Sequence, residues 1–470
     1  MEGSMLTYTF DDHTYLYDQL YNAIKSDIMN GNLKPNDKLP SKRAFAKHLN
    51  ISTITIETAY QQLIDEGFLY ALPRKGFFVA KIDLPQTEIT EEDHEEMPAE
   101  KPAYDWNFSA NHMSPDHFPF SIWAKITRDI LSHKQKELMR RSPAEGTAAL
   151  REAIAHHLRS FRNLDVSPDQ IIIGSGTEYL YGLLIQLLGF DKVYGIENPG
   201  YTKIGQIYQA HHVSYVKVDM DDEGIIPELL RKNNVDIVHI SPSHHFPTGI
   251  TMPITRRYQL LRWTDESDRH YIIEDDYDSE FRMMGRPIPS LFSIDHHHKV
   301  IYMNTFTKTL SSTIRISYMV LPKPLAKKFR KELSFYTCTV STFEQYTLAK
   351  FISDGSFEKH LNRMRNIYRH KRNRILKVIS NSPLHKISKI AEENAGLHFL
   401  IRIDLKCDDE TFLKRCEERR VHISALSEYG INKPHTFIIN YSSLPDEGLE
   451  EAFKTLYVIA MNVKNSDQAI

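Results

Sequence analysis

The sequence predicts a multidomain chain: a small α+β unit with the element order of a winged helix-turn-helix, a linker, and a larger α/β unit that closes with an α+β subdomain. Three observations carry this expectation. At 470 residues the chain exceeds what one ordinary hydrophobic core serves. Residues 13–80 read as short amphipathic helices followed by two strand-like pieces. Beyond residue 105, β-rich runs alternate with apolar helical stretches, the pattern of a parallel sheet flanked by helices.

Each element has a local cause. Leu16, Leu20, Ala23, Ile24 and Ile28 recur at helical spacing over 16–29, and Gly31 stops the run. Ser41 caps a second helix that reaches Leu49 with Phe45 inward, and Ser52 caps a third over 53–66. The third turns Ile56, Ala59, Tyr60, Leu63 and Ile64 to one face and ends at Gly67. Phe68-Leu69-Tyr70 and Gly76-Phe77-Phe78-Val79 flank the turn Leu72-Pro73-Arg74-Lys75, which makes a β-wing. Over 81–104 apolar periodicity gives way to Glu, with Pro85, Pro98 and Pro102. Such a composition buries too little apolar surface to order itself, so a flexible acidic linker is expected.

In the larger unit, 105–465, Ile171-Ile172-Ile173 leads through Gly174-Ser175-Gly176-Thr177 into an apolar helix ending near Leu188. Further β-like runs follow at 193–196, 235–240, 271–273, 300–303 and 316–321, giving a large α/β part over 120–340. A basic helical stretch from Phe343 introduces a smaller α+β part, mainly 345–465, with strands at 396–403, 422–425 and 436–441.

Composition excludes some classes. Net charge is −3, and no apolar run approaches the roughly 20 residues that a membrane helix requires. The N-terminus is polar and acidic, unlike a signal peptide, and a cytoplasmic location is expected. Cys338, Cys407 and Cys416 lack the close spacing of a metal or redox motif, so reduced thiols are expected. His296-His297-His298 follows Asp295 in a turn and reads as a solvated loop, and no metal is expected.

Lys42 and Arg43 lie beside one face of the second helix, and Arg74 and Lys75 occupy the wing tip, where cations meet phosphates. Ser52, Thr53 and Thr55 open the third helix, where base edges in a major groove are reached, and Ser41 opens the second. The acidic residues of this segment offset its cations, so charge alone does not make it a DNA-binding unit. The string Lys38-Leu39-Pro40-Ser41-Lys42-Arg43-Ala44-Phe45-Ala46, followed by Ala59-Tyr60-Gln61-Gln62-Leu63-Ile64-Asp65-Glu66-Gly67-Phe68-Leu69, does. It closely resembles the DNA-binding domain of the GntR family of bacterial transcription regulators, and the resemblance implies double-stranded operator DNA as partner. Many members carry Arg right after the Ser that opens the recognition helix; here that position is Thr53.

A different chemistry gathers downstream. Lys308, in the turn after the strand-like 300–303, is the kind of desolvated lysine that forms a Schiff base with pyridoxal 5'-phosphate (PLP). Asp275 can hold the ring nitrogen protonated, Tyr277 can reach the phenolic oxygen, and Tyr201 can stack on the ring. Ser175, Gly176 and Thr177 offer backbone N–H groups at a helix N-terminus for the phosphate, with Thr305 and Arg315 completing the cup. The rival reading of Glu274-Asp275-Asp276-Tyr277-Asp278 is a metal-binding acidic loop.

Together these residues resemble the fold-type I, aspartate aminotransferase-like PLP proteins. With the N-terminal winged helix, and with 241–249 and 273–282 matching its signatures, the chain is similar to the MocR subfamily of GntR regulators. The resemblance implies the PLP-dependent transferase fold, a homodimer, PLP held by Lys308, Asp275, Tyr277 and Arg315, and a small-molecule effector: an amine, an amino acid or PLP itself. His245 and Phe246 fall where aminotransferases place an Asn near the phenolic oxygen, so a different contact is expected there. The two arginines that clamp a substrate carboxylate are missing: the first region offers only Lys203, an effector-binding candidate, and 437–441 offers no cation. A PLP-dependent transcription regulator with at most weak transaminase activity is expected; the alternative is an active aminotransferase with an appended DNA-binding domain.

Overall fold

The computed structural model describes residues 6–11, 14–82, 104–111, 113–281, 288–391, 396–431 and 433–466. The expected linker therefore falls, but for its ends, outside the described residues, as does Arg282 of the 273–282 motif. The chain divides into two compact units, Met1–Lys101 and Pro102–Ile470.

In the first unit, α1 (Leu16–Met29), α2 (Lys42–Leu49) and α3 (Thr53–Asp65) precede β1 (Leu69–Leu72) and β2 (Gly76–Val79). The strands pair antiparallel, Leu69 opposite Val79 and Leu72 opposite Gly76. Helix starts are set by side chains that satisfy otherwise orphaned N–H groups: Ser41 Oγ accepts from Ala44 N at 3.3 Å and Ser52 Oγ from Thr55 N at 3.0 Å. Leu20, Ile24, Phe45, Ile56, Tyr60, Leu63 and Val79 are fully buried between the helices and the wing. Tyr60 ties its hydroxyl to Pro40 O at 3.0 Å, which fixes α3 against the start of α2.

The second unit opens with β3 (Trp106–Asn107) and is organised by one eight-stranded sheet. Its strands are β4 (Ile171–Gly174), β5 (Val193–Asn198), β6 (Ser214–Asp221), β7 (Gly224–Ile225), β8 (Ile237–Ile240), β9 (Tyr271–Asp275), β10 (Val300–Thr305) and β11 (Ser317–Val320). The order across the sheet is β4-β11-β10-β9-β8-β5-β6-β7. Strands β4, β8, β10 and β11 are buried along their whole length, which is why they read as continuous apolar runs.

The expectation of a parallel sheet needs a correction. Strand β11 runs antiparallel to both neighbours, β10 and β4, and β7 runs antiparallel to β6. The segment 306–316 is too short for the crossover that a parallel partner demands, so the chain must return antiparallel. Strands β4, β5, β9 and β10 remain parallel to one another, and all their C-terminal ends meet at one sheet edge. Loops at such an edge are where open α/β sheets place ligands.

A smaller antiparallel sheet follows, with β12 (Ser388–Ala391), β13 (His398–Ile403), β15 (Ser424–Ala425) and β16 (Thr436–Asn440) in the order β12-β13-β16-β15, while β14 (Val421–His422) pairs with β3. The helix Ser356–Asn381 links the two parts, burying Phe357, Leu361, Met364, Tyr368 and Ile375 in a core shared by both sheets.

Candidate cofactor site and nucleic-acid interface

In the first unit, Arg43, Ser52, Thr53, Arg74 and Lys75 are exposed, and Arg74 adopts φ 62° at the wing tip. Lys42 is less free than the sequence suggests: its Nζ donates to Glu57 Oε1 at 2.6 Å and lies 5.4 Å from the Phe77 ring centroid. Ser41 and Ser52 act as helix caps, and Thr55 Oγ1 lies 2.8 Å from Ser52 Oγ.

In the second unit the strand ends enclose a cavity of about 470 Å³. Gly176, Thr177, Tyr201, Lys203, Asp275, Tyr277, Thr305, Lys308 and Arg315 all line it. Two expected residues do not. Ser175 commits its backbone N–H to Thr339 Oγ1 at 3.0 Å, and His245 lies buried beside the cavity wall with Nδ1 2.7 Å from Thr248 Oγ1 and Nε2 3.5 Å from Glu197 Oε2. Burial pushes the Glu197 carboxyl up to about 8 and the His245 imidazole down to about 3. That pair is therefore a neutral acid beside a neutral ring rather than an ion pair.

Lys308 follows β10 and donates Nζ to Asn111 O at 2.7 Å. Burial pulls its ammonium down to about 8, against an opposing pull from the Asp278 carboxylate. Asp275, the last residue of β9, accepts from the Tyr181 hydroxyl through Oδ2 at 2.8 Å, and His239 Nε2 lies 3.7 Å from the same oxygen. Asp275 Oδ1 is buried without a hydrogen-bond partner. A buried, partnerless carboxylate oxygen is costly unless a donor arrives, and a protonated pyridine nitrogen is such a donor.

Tyr277 places its hydroxyl 3.3 Å from His244 Nδ1, and the same nitrogen is 2.7 Å from Asp278 Oδ2. The His244 ring stacks on His398 of β13 at 4.5 Å between centroids. Gly176 adopts φ +93°, and a Cβ there would stand 2.5 Å from Arg315 Nη2, so the missing side chain is what lets the guanidinium lie on the helix-opening turn. Arg315 donates to Glu178 Oε2 at 3.1 Å, and Glu178 Oε1 accepts from Lys203. Tyr201 is half exposed at the mouth, edge-on to Phe246.

The neighbours of Asp275 in the acidic loop have structural partners. Asp276 Oδ2 accepts from Arg162 and Tyr302, each at 2.6 Å, and Glu274 accepts from the backbone N–H groups of Leu291 and Phe292. Sequence reasoning missed Tyr181, His239, Asn111, Glu178, Glu197 and Asn440, all of which line the cavity. For Tyr181 a signal existed: a polar tip one helical turn below Thr177, on a helix whose following residues are mostly apolar.

The residues present thus fit PLP, and the fold and site define a DNA-binding unit joined to a PLP-binding, aminotransferase-like one. Residues 16–79 match the bacterial regulatory proteins of the gntR family, and residues 105–456 match aminotransferase class I and II. The chain is 37% identical to the uncharacterized HTH-type transcriptional regulator YdeL of Bacillus subtilis, over 94% of this chain and 96% of that protein. It is 28% identical to the probable rhizopine catabolism regulatory protein MocR of Rhizobium meliloti, over 96% and 95% respectively. The kynurenine aminotransferase of Pyrococcus horikoshii superposes with a TM-score of 0.65, covering 77% of this chain and 91% of that one at 23% identity, which speaks to fold alone. The chain belongs to the MocR subfamily of GntR transcription regulators. It is a DNA-binding regulator with a fold-type I domain, and its cofactor is PLP.

Proposed function

We propose that PLP is held covalently at Lys308, with Asp275 Oδ1 accepting the ring N–H, Tyr277 facing the phenolic oxygen, Tyr201 against the ring face, and the phosphate received by the Gly176-Thr177 turn and Arg315. When bound, PLP supplies an electrophilic aldehyde carbon and a ring that withdraws electrons. The observation that carries this reading is the single partnerless oxygen of Asp275 in the same cavity as a desolvated lysine. Ser175 opens the same turn, Thr305 supports it from β10 by accepting from Ser317 Oγ at 2.8 Å, and His245 shapes the wall through Glu197.

The chain regulates transcription as a cytoplasmic homodimer whose winged helices read two operator half-sites. Arg43, Arg74 and Lys75 hold phosphates, and Ser41, Ser52, Thr53 and Thr55 position and open the reading helix. Lys42 joins them only if it leaves Glu57. Occupancy of the cavity by a small molecule shifts DNA binding by as much as that ligand's differential affinity for the two states. Sensing is favoured over turnover because the cations lining the cavity are Lys203, Lys308 and Arg315, with Asn440 on the strand where a second arginine would stand. The test is an absorption spectrum with PLP for wild type and Lys308→Ala, followed by DNA-binding titration of both with and without PLP. A Lys308-dependent band with a Lys308-dependent change in DNA affinity supports the reading; a band that persists in Lys308→Ala sinks it.

A further inference from the structure

The one acidic side chain among the groups expected to receive the phosphate has no role in that reading. Glu178 stands in the first turn of the helix Thr177–Leu188, directly after the turn that faces the phosphate. One of its oxygens accepts from Arg315 Nη2 at 3.1 Å, and the other accepts from Lys203. Both cations are about half exposed and both line the cavity. Arg315 has little freedom to move toward the helix axis, because its guanidinium already rests against Gly176.

We propose that Glu178 competes with the cofactor phosphate for Arg315 and Lys203, so that occupancy of the site is reversible and follows the free concentration of the phosphorylated cofactor. This rests on the reading of the cavity as the PLP site. Charge arithmetic gives the direction. Lys203, Arg315 and Glu178 together carry +1, and a phosphate monoester brings about −1.5 to −2, so the loaded cup is left with an excess of negative charge. With a neutral amide at 178 the same cup closes near neutrality. A carboxylate at a helix N-terminus also engages the partial positive charge that would otherwise serve the phosphate. A site evolved to retain its cofactor permanently gains nothing from such a group, whereas one that reports cofactor supply does.

The test measures PLP affinity of the full-length protein by equilibrium titration, for wild type, Glu178→Gln and Glu178→Ala, in parallel with pyridoxal, which lacks the phosphate. The expected result is PLP binding about tenfold tighter in both variants, pyridoxal affinity within twofold of wild type, and weaker competition by inorganic phosphate in wild type than in either variant. Equal PLP affinity in all three proteins overturns the proposal, as does an equal gain for pyridoxal, which would place the effect away from the phosphate. Use of two variants guards against one that folds poorly, and thermal unfolding identifies it. Loss of Lys308-dependent attachment in wild type would instead overturn the cofactor reading itself, whatever the variants do.

Discussion

Tyr181 donates its hydroxyl to one oxygen of Asp275 at 2.8 Å and leaves the other oxygen of that carboxylate without a partner. The arrangement fixes which way the carboxylate faces. Tyr181→Phe should therefore weaken PLP binding severalfold and destabilise the cofactor-free protein by about 1–3 kcal/mol, the cost of a buried charged group losing a donor. Titration with PLP and thermal unfolding would read the two effects. Unchanged affinity would mean that the orientation of Asp275 is set by His239 instead.

Lys308 gives a pH signature. With its amine pulled down to about 8, about a tenth is neutral at pH 7. The rate of attachment to an aldehyde should rise about tenfold per unit below pH 7, about fivefold from 7 to 8, and level above about 9. The same shift bears on stability with a definite sign. The folded pKa lies below the unfolded value of 10.5, so burial of the ammonium costs stability throughout the range below pH 8, and that cost is relieved between 8 and 10.5. Lys308→Met should thus stabilise the cofactor-free protein at pH 7 by about 1–2 kcal/mol, discounted for the part-exposure of the side chain. The gain should vanish near pH 10.5 in denaturant titrations.

Asp278 is the carboxylate that opposes this shift, while also holding His244. Asp278→Asn should move the attachment profile to lower pH by a few tenths of a unit to about one unit. Stopped-flow absorbance across pH would detect it, and an unmoved profile would confine Asp278 to positioning His244.

In the DNA-binding unit, Arg74 and Lys75 are exposed at the wing tip, apart from the helix proposed to reach base edges. Substituting either by Ala should weaken binding alike for specific and random DNA and reduce the slope of log affinity against log salt by about 1. Lys42→Ala should change the slope less, because its charge is already matched by Glu57. Fluorescence anisotropy at several salt concentrations separates these outcomes.

Much of the fold was legible because its cues are local. The serines at 41 and 52 mark helix starts that the structure places one residue later, and the buried strands read as apolar runs. Strand β6 was equally local, alternating Val216, Val218 and Met220 with Lys217, Asp219 and Asp221, and was passed over because one face is polar. Strand direction was not legible in composition; it follows from the length of the connection at 306–316. Lys308, Asp275, Tyr277 and Tyr201 could be found because each stands at or just past a strand end. Asn111 and Asn440 could not, since only tertiary folding brings them to Lys308 from opposite ends of the unit. Lys42 misled because its partner, Glu57, lies on another helix.

The antiparallel return from β10 to β11 also bears on how such a chain diversifies. Thr305, Lys308 and Arg315, the groups proposed to meet the aldehyde and phosphate ends of the cofactor, sit on one excursion pinned between two adjacent strands. An insertion or deletion there would alter both anchors at once, so drift in this stretch is confined to substitution. Phe246, Tyr429 and Asn440 reach the same cavity from three other segments. Descendants of this chain can exchange those three one at a time and answer to a new signal while keeping the same grip on the cofactor.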